Sequence, residues 1–211
     1  MAFSINTNIS ALQNQKELAK SEKSVGQAFE RLTSGKRINR ASDDASGLQM
    51  VEAQRADIQA YTAAMRNIND GASMLNIADS TMETGSGILT RMSELATQAA
   101  NGTLSDSQRQ ALNEEYQALK AELDRTQETA QFNGQSVTGE TVIQSGIDSS
   151  ANSQTTLNVT AIDSTSLGVS GTNLLSQEGA KNALTQTAAA LDTVSSSRAE
   201  IGAAPRIRVS T

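Results

Sequence analysis

A seven-residue recurrence of apolar side chains is the feature that most constrains how this chain can fold. Every seventh position from residue 61 to residue 96 is apolar, and the span contains no proline. Such a heptad pattern predicts a coiled-coil-like helix whose apolar seam neighbouring helices must cover. Running from about residue 44 to residue 99, this helix would be about 80 Å long. The recurring positions are Tyr61, Ile68, Leu75, Met82, Leu89 and Ala96.

The heptad pattern also predicts which residues fill the other half of the seam. Ile58, Met65 and Ala72 occupy the complementary positions, which become polar from Asp79 onward. We therefore expect these three side chains to be buried together with the first set.

An amphipathic helix is predicted at the start of the chain, over residues 5–32. Its apolar residues follow the spacing i, i+4, i+7, and its other face carries Gln, Lys and Glu. The apolar stripe is narrow, so we expect this helix to order only against partners. The stripe contains Ile5, Ile9, Leu12, Val25, Phe29 and Leu32.

Two further helices and a small β region complete the predicted fold. Gly102 ends the long helix, and Ser105 with Gln108 forms a capping-box pattern for a helix over about 105–130 that folds back antiparallel. Residues 135–175 are rich in Ser, Thr and Gly, and alternation in "TLNVTAI" and "TVIQ" predicts a β-hairpin region. Helical spacing returns over about 177–202. Its apolar positions include Leu184, Leu191 and Val194.

These elements predict a mainly α fold, namely a long antiparallel coiled-coil-like helical rod with a small β-hairpin region at one end. The predicted organisation is an N-terminal segment 1–43, a rod domain 44–204 and a short tail 205–211. Only 2% of residues are aromatic, which favours helices with narrow apolar stripes over a compact globule.

Composition argues against catalysis and against several ligand classes. The chain has no His and no Cys, so the commonest general base and metal ligands are missing. We expect no enzyme activity, no metal and no cofactor. The net charge is -6, and the weak basic excess near the start does not predict nucleic-acid binding. No apolar run is long enough for a membrane span, and the first residues lack a cleaved secretory signal.

The stretch "LTSGKRINRASDDASGL", residues 32–48, concentrates charge and glycine between two helices. Gly35 follows the last apolar residue of the first helix, where a left-handed residue is expected. The basic residues Lys36, Arg37 and Arg40 then lie near a helix C-terminus, while Asp43 and Asp44 lie at the next N-terminus. A helix end followed by a helix start accounts for these charges without a catalytic role.

Several motifs resemble those of bacterial flagellin. They are "SINTNISALQNQ", "LTSGKRINRASDDASGL", "RMSELATQAANGT" and "FNG", in that order within the first 134 residues, with a looser likeness over 180–204. The resemblance implies a subunit of the flagellar filament that forms a homo-oligomer. The first helix would line an inner tube, the charged stretch would form a spoke, and the rod would build an outer tube. It also implies contact with the flagellar export and chaperone machinery, and secretion by type III export to the flagellum.

The resemblance further implies recognition by the flagellin-sensing Toll-like receptor 5. The family's receptor-contact motif falls on "RMSELATQAAN", which places Arg91 and Leu95 at matching positions, with Glu115 on the following helix. Ser93 stands where an arginine is common. From the residues alone, the alternative is that Leu95 packs inside and that Arg91 and Glu115 form a solvated face.

The chain differs from the flagellin pattern at its C-terminal end. Flagellins continue into a C-terminal segment that pairs with the first helix, whereas "SSRAEIGAA" is followed here by Pro205 and a short tail. We therefore expect the first helix to be disordered in the isolated chain, and polymerisation to be poor. Two alternative functions stay open: a hook-filament junction-type protein, and a monomeric ligand of the receptor.

Overall fold

The fold of this chain, seen in a computed structural model, is mainly α, as the sequence predicts. The structure describes residues 8–203; Ile5 and the tail 205–211 lie outside the described residues. Four long helices account for most of that span. They are α1 (Ile9–Ser34), α2 (Ala45–Ala99), α3 (Asp106–Thr129) and α4 (Gln177–Ala203). One of them, α1, is the first helix, which is expected from the sequence to be disordered in the isolated chain.

The chain divides into two compact units, Met1–Gln59 and Ala60–Thr211, with the division inside α2. The domain boundary predicted from the sequence lies after residue 43, between the first two helices. That boundary stays a prediction.

In the first unit, local capping explains where α1 begins and ends and where α2 begins. Asn8 Oδ1 accepts a hydrogen bond from the Ala11 amide at 3.1 Å, and Gly35 ends α1 with φ 66°. Asp44 Oδ1 accepts from the Gly47 amide at 2.9 Å at the start of α2. This bond, followed by that from the Ser46 hydroxyl, lowers the pKa of Asp44. The stretch 32–48 is therefore a helix end and a helix start.

In the second unit, both α3 and α4 run antiparallel to α2. Arg91 of α2 contacts Glu115 of α3, while Gly85, earlier on α2, lies beside Leu123, later on α3. The contacts with α4 follow the same reversed order. Gln177 Nε2 donates to the Ala100 carbonyl at 3.0 Å, and Arg198 Nε donates to Asp79 at 2.8 Å.

Part of the predicted seam of α2 and α4 is buried in the second unit. Ile68, Met82, Leu89, Ala96 and Val194 are buried. The other predicted positions are half-buried: Tyr61, Leu75, Leu184 and Leu191.

The prediction for the complementary half of the seam is wrong for this chain. Met65 is 50% exposed, and Ile58 and Ala72 are exposed as well. A different heptad series is buried, one residue earlier in each repeat and composed mostly of Ala and Gly. The side chains at these positions are mostly small and add little apolar volume. They allow neighbouring segments to pack closely against α2, and this close packing buries them. The series is Ala64, Gly71, Ala78, Gly85, Met92 and Ala99.

The β region contains two antiparallel hairpins, where the sequence predicted one. Strands β3 (Gly139–Gln144) and β4 (Gln154–Val159) pair with Gly139 opposite Val159. They correspond to the predicted "TVIQ" segment and to the first four residues of the predicted "TLNVTAI" segment, whose last three residues lie beyond β4. The additional hairpin joins β1 (Gln131–Phe132) to β2 (Gln135–Ser136). Its turn residues Asn133 and Gly134 both have positive φ, as a two-residue type I′ connection requires.

Residues 160–176, which follow β4, form a segment without strand structure that we call the strap. The strap runs antiparallel to α3. Residues later in the strap form hydrogen bonds with residues earlier in the helix. Polar side chains at heptad-like spacing on α3 hydrogen-bond its backbone at 2.6–3.1 Å. These side chains are Asn113, Gln117, Lys120, Asp124 and Gln127.

The strap also supplies apolar side chains to the core of the second unit. Ile162, Leu167, Val169 and Leu174 are buried in the same cluster as residues of α2, α3 and α4. A segment without regular ladder bonds can be buried because side chains of α3 satisfy its backbone groups.

Candidate functional site

Arg91 and Glu115 meet on the surface of the second unit and bridge α2 and α3. Arg91 Nε and Nη2 donate to Glu115 Oε1 at 3.1 and 2.8 Å, and Nη1 donates to Glu94 Oε2 at 2.9 Å. The Arg91 and Glu115 side chains are 50% and 46% exposed. The bond to Glu115, followed by that to Glu94, raises the pKa of Arg91. The structure thus presents a fixed, solvent-accessible charge cluster.

Leu95 does not lie on the surface with these two residues. Its side chain is 1% exposed and belongs to the core cluster that contains Met92 and Tyr116. Of the three residues predicted for receptor contact, two are brought together at the surface and the third packs beneath it. Ser93 is half-buried.

The apolar side chains of α1 are exposed to solvent in the first unit. None of the 26 residues of α1 is buried, and Phe29 is 65% exposed. The described residues predicted for the filament core are Ile9, Leu12, Phe29 and Leu32, and all four are exposed. Exposed patches of large apolar side chains mark interaction surfaces or aggregation-prone surfaces.

The described residues show no arrangement that would hold a metal ion. Within 8–203, no group of three or more His, Cys, Asp or Glu side chains has suitable placement. Over the same span, no helix combines the length and apolar character needed to cross a membrane.

Comparison with known proteins relates these features to flagellins. Residues 5–141 match the family described as bacterial flagellin N-terminal helical region. Flagellin A of Vibrio cholerae is 48% identical over 134 residues, which are 64% of this chain and 35% of the relative. Flagellin A of Vibrio anguillarum is 39% identical over 183 residues, 85% of this chain and 48% of the relative. The chain thus spans less than half the length of these relatives.

A solved structure shares the fold. The crystal structure of Bacillus cereus flagellin has a TM-score of 0.56 and 33% sequence identity. The match covers 65% of this chain and 81% of that chain.

Proposed function

The chain belongs to the bacterial flagellin family, and from this premise we propose that it is a structural subunit of the flagellar filament, polymerising through its long helices. The observation that carries the proposal is the apolar face of α1, which is exposed in a helix without a single buried residue. Such a face is stable in water only when it is covered. Copies of the same chain would cover it in a homo-oligomer.

The proposed division of labour follows the predicted segments. Residues 1–43 would form the filament core and the spoke, residues 44–204 would form the rod, and residues 205–211 would form a tail. The protein would reach the flagellum through type III export, with contributions from flagellar export and chaperone machinery. In this role it needs neither a catalytic centre nor a cofactor.

Seeded polymerisation tests the filament role. Purified monomers are added to flagellin filament fragments, and elongation is followed by light scattering and electron microscopy. We expect the unmodified chain to extend the seeds slowly, in keeping with the poor polymerisation expected from the sequence, and the pair Phe29→Ser with Leu32→Ser to abolish extension. The matched control, Lys23→Ser with Gln27→Ser, changes neighbouring turns of α1 on the side opposite Phe29 and Leu32 and should extend seeds like the unmodified chain. Failure of the unmodified chain to add to any seed would contradict the proposal.

The exposed Arg91–Glu115 pair favours a second role, as a ligand of Toll-like receptor 5. Leu95 would support this surface from inside the core and would not touch the receptor directly. Reporter cells that express the receptor test this role. Arg91→Ala and Glu115→Ala should each reduce activation, whereas Arg125→Ala, an exposed arginine on the same unit, should not. Equal activation by all three variants would exclude this role for the pair.

A further inference from the structure

A pocket in the first unit brings together three cationic side chains and an apolar lining. Its volume is about 380 Å³, and it lies between the loop after α1 and the first turns of α2. Leu48, Val51 and Arg55 lie on one face of α2 because they are separated by three and four residues. Six of the lining residues are Lys36, Arg37, Ile38, Leu48, Val51 and Arg55.

The loop that forms one wall of the pocket is held by its own hydrogen bonds. Asn39 Nδ2 donates to the Glu30 carbonyl at 3.1 Å and to Ser34 Oγ at 2.7 Å. Asp43 Oδ2 accepts from the amides of Asn39 and Arg40 at 3.3 and 3.2 Å. Arg40 also pairs with the Glu30 carboxylate at 2.9 Å. These bonds fix the loop before any partner arrives, which lowers the entropic cost of binding.

The residues that line the pocket carry more positive than negative charge. Arg55 is paired with Glu52, also in the lining, at 2.7 Å. The side chains of Lys36 and Arg37 form no hydrogen bond or ion pair within residues 8–203. Among the lining residues, three cations against the carboxylate of Glu52 leave a net charge of +2. Asp44, outside the lining, interacts electrostatically with Arg37 and offsets part of this excess. The remaining positive charge favours an anionic partner.

The opposite charge is concentrated in another part of the same chain. Residues 67–150 contain 12 acidic and four basic residues, a net charge of -8. Four acidic residues in this span are exposed, and their side chains form neither an ion pair nor a hydrogen bond within the described residues. They are Asp70, Glu114, Glu128 and Glu140.

We propose that this pocket receives an acidic segment of a second copy of the chain, through one of these four carboxylates. The carboxylate would bind Lys36 and Arg37, while the methylenes of an acidic side chain would contact Ile38, Leu48 and Val51. The proposal rests on the proposed filament function and names a contact that joins neighbouring subunits. Complementary charges of this kind mainly accelerate encounter and fix register.

Seeded elongation of the full chain tests the contact. Lys36→Ala with Arg37→Ala should slow elongation about fivefold or more at 0.1 M salt, where the Debye length is about 10 Å. At 1 M salt, where it is about 3 Å, the rates of the variant and the unmodified chain should converge. Arg66→Ala with Lys181→Ala is the matched control, because it removes one exposed arginine and one exposed lysine elsewhere. This control should elongate at the unmodified rate, and circular dichroism should show equal helicity in all three proteins.

Charge reversal identifies the partner carboxylate. Lys36→Glu with Arg37→Glu should stop elongation, and one lysine substitution among the four acidic positions should restore it in the same chain. If the alanine pair elongates like the unmodified chain, or the control slows equally, the pocket contact is refuted while the filament role stands. Failure of all four lysine substitutions to restore elongation would refute the named partner. If the unmodified chain itself fails to extend seeds, the filament proposal is the part that fails.

Discussion

Gly85 and Gly87 on α2 provide a matched pair for measuring how closely the second unit is packed. A β carbon added at Gly85 would lie 2.8 Å from Ile162 Cδ1 and 3.5 Å from Leu123 Cδ1, whereas one at Gly87 would meet nothing within 4 Å. Both glycines lie inside the same helix. Replacement by alanine therefore brings the same gain in helix propensity, about 1 kcal/mol.

The two alanine variants should differ because of packing alone. Gly87→Ala should raise the free energy of unfolding by about 0.5–1 kcal/mol. Gly85→Ala gains the same propensity term but overpacks the contact with Ile162, which typically costs about 1–3 kcal/mol. Ile162 is 1% exposed, so its side chain has little room to move. We expect Gly85→Ala to be less stable than Gly87→Ala by about 1–3 kcal/mol.

A double-mutant cycle separates this clash from other effects. Ile162→Val removes the Cδ1 atom and alone should cost about 0.5–1.5 kcal/mol. In the Gly85→Ala background the new methyl group occupies part of that space, so the two changes should couple favourably by about 1–2 kcal/mol. Urea unfolding followed by circular dichroism measures all four proteins. Equal stabilisation by the two glycine replacements, or a coupling near zero, would refute the close approach of the strap to α2.

Three further predictions concern the strap, a buried tyrosine and the start of α2. Asp124→Ala leaves the buried Ser164 amide without its 2.6 Å partner. It should cost about 1–3 kcal/mol in urea unfolding, whereas Glu128→Ala on the same helix should stay within about 0.5 kcal/mol. Burial raises the pKa of Tyr116 above its ordinary 10.0. Its contribution to the free energy of unfolding is therefore complete below pH 10 and is lost as pH rises further. Unfolding measured from pH 8 to 12 should show a steeper loss of stability for the unmodified chain than for Tyr116→Phe. The pKa of Asp44 is lowered, so its capping contribution to stability is present above pH 3.8 and is lost as pH falls below that value. Measured by circular dichroism at pH 3, Asp44→Asn should therefore keep more helix than the unmodified chain. Equal loss of helix in the two proteins would count against the cap.

The sequence predicts the helices of this fold well because their signals are local. Ser105 with Gln108 forms the predicted capping box at the start of α3, and the apolar recurrence from Tyr61 locates α2. The second half of the seam could not be predicted from apolar residues alone. Ala64, Gly71 and Ala78 add little hydrophobicity, and their importance lies in how closely other segments approach them.

The conformation of the strap could not be predicted from residues 160–176 themselves, because its backbone is held by hydrogen bonds from side chains elsewhere in the chain. The available signal is on α3, where Asn113, Gln117, Lys120, Asp124 and Gln127 repeat with helical spacing. In the candidate site, the pairing of Arg91 with Glu115 depends on the alignment of two helices, which local patterns do not specify. The burial of Leu95 likewise reflects that alignment.

The hydrogen bonds from α3 to the strap are made mostly to main-chain groups, which every residue type except proline carries in full. Mutations in the strap can therefore accumulate at its outward-facing positions without loss of attachment, whereas a single change in the polar row of α3 removes an anchor. We expect homologous chains to vary freely in the strap's solvent-facing residues and to keep side chains of matching hydrogen-bonding capacity along the helix that holds it.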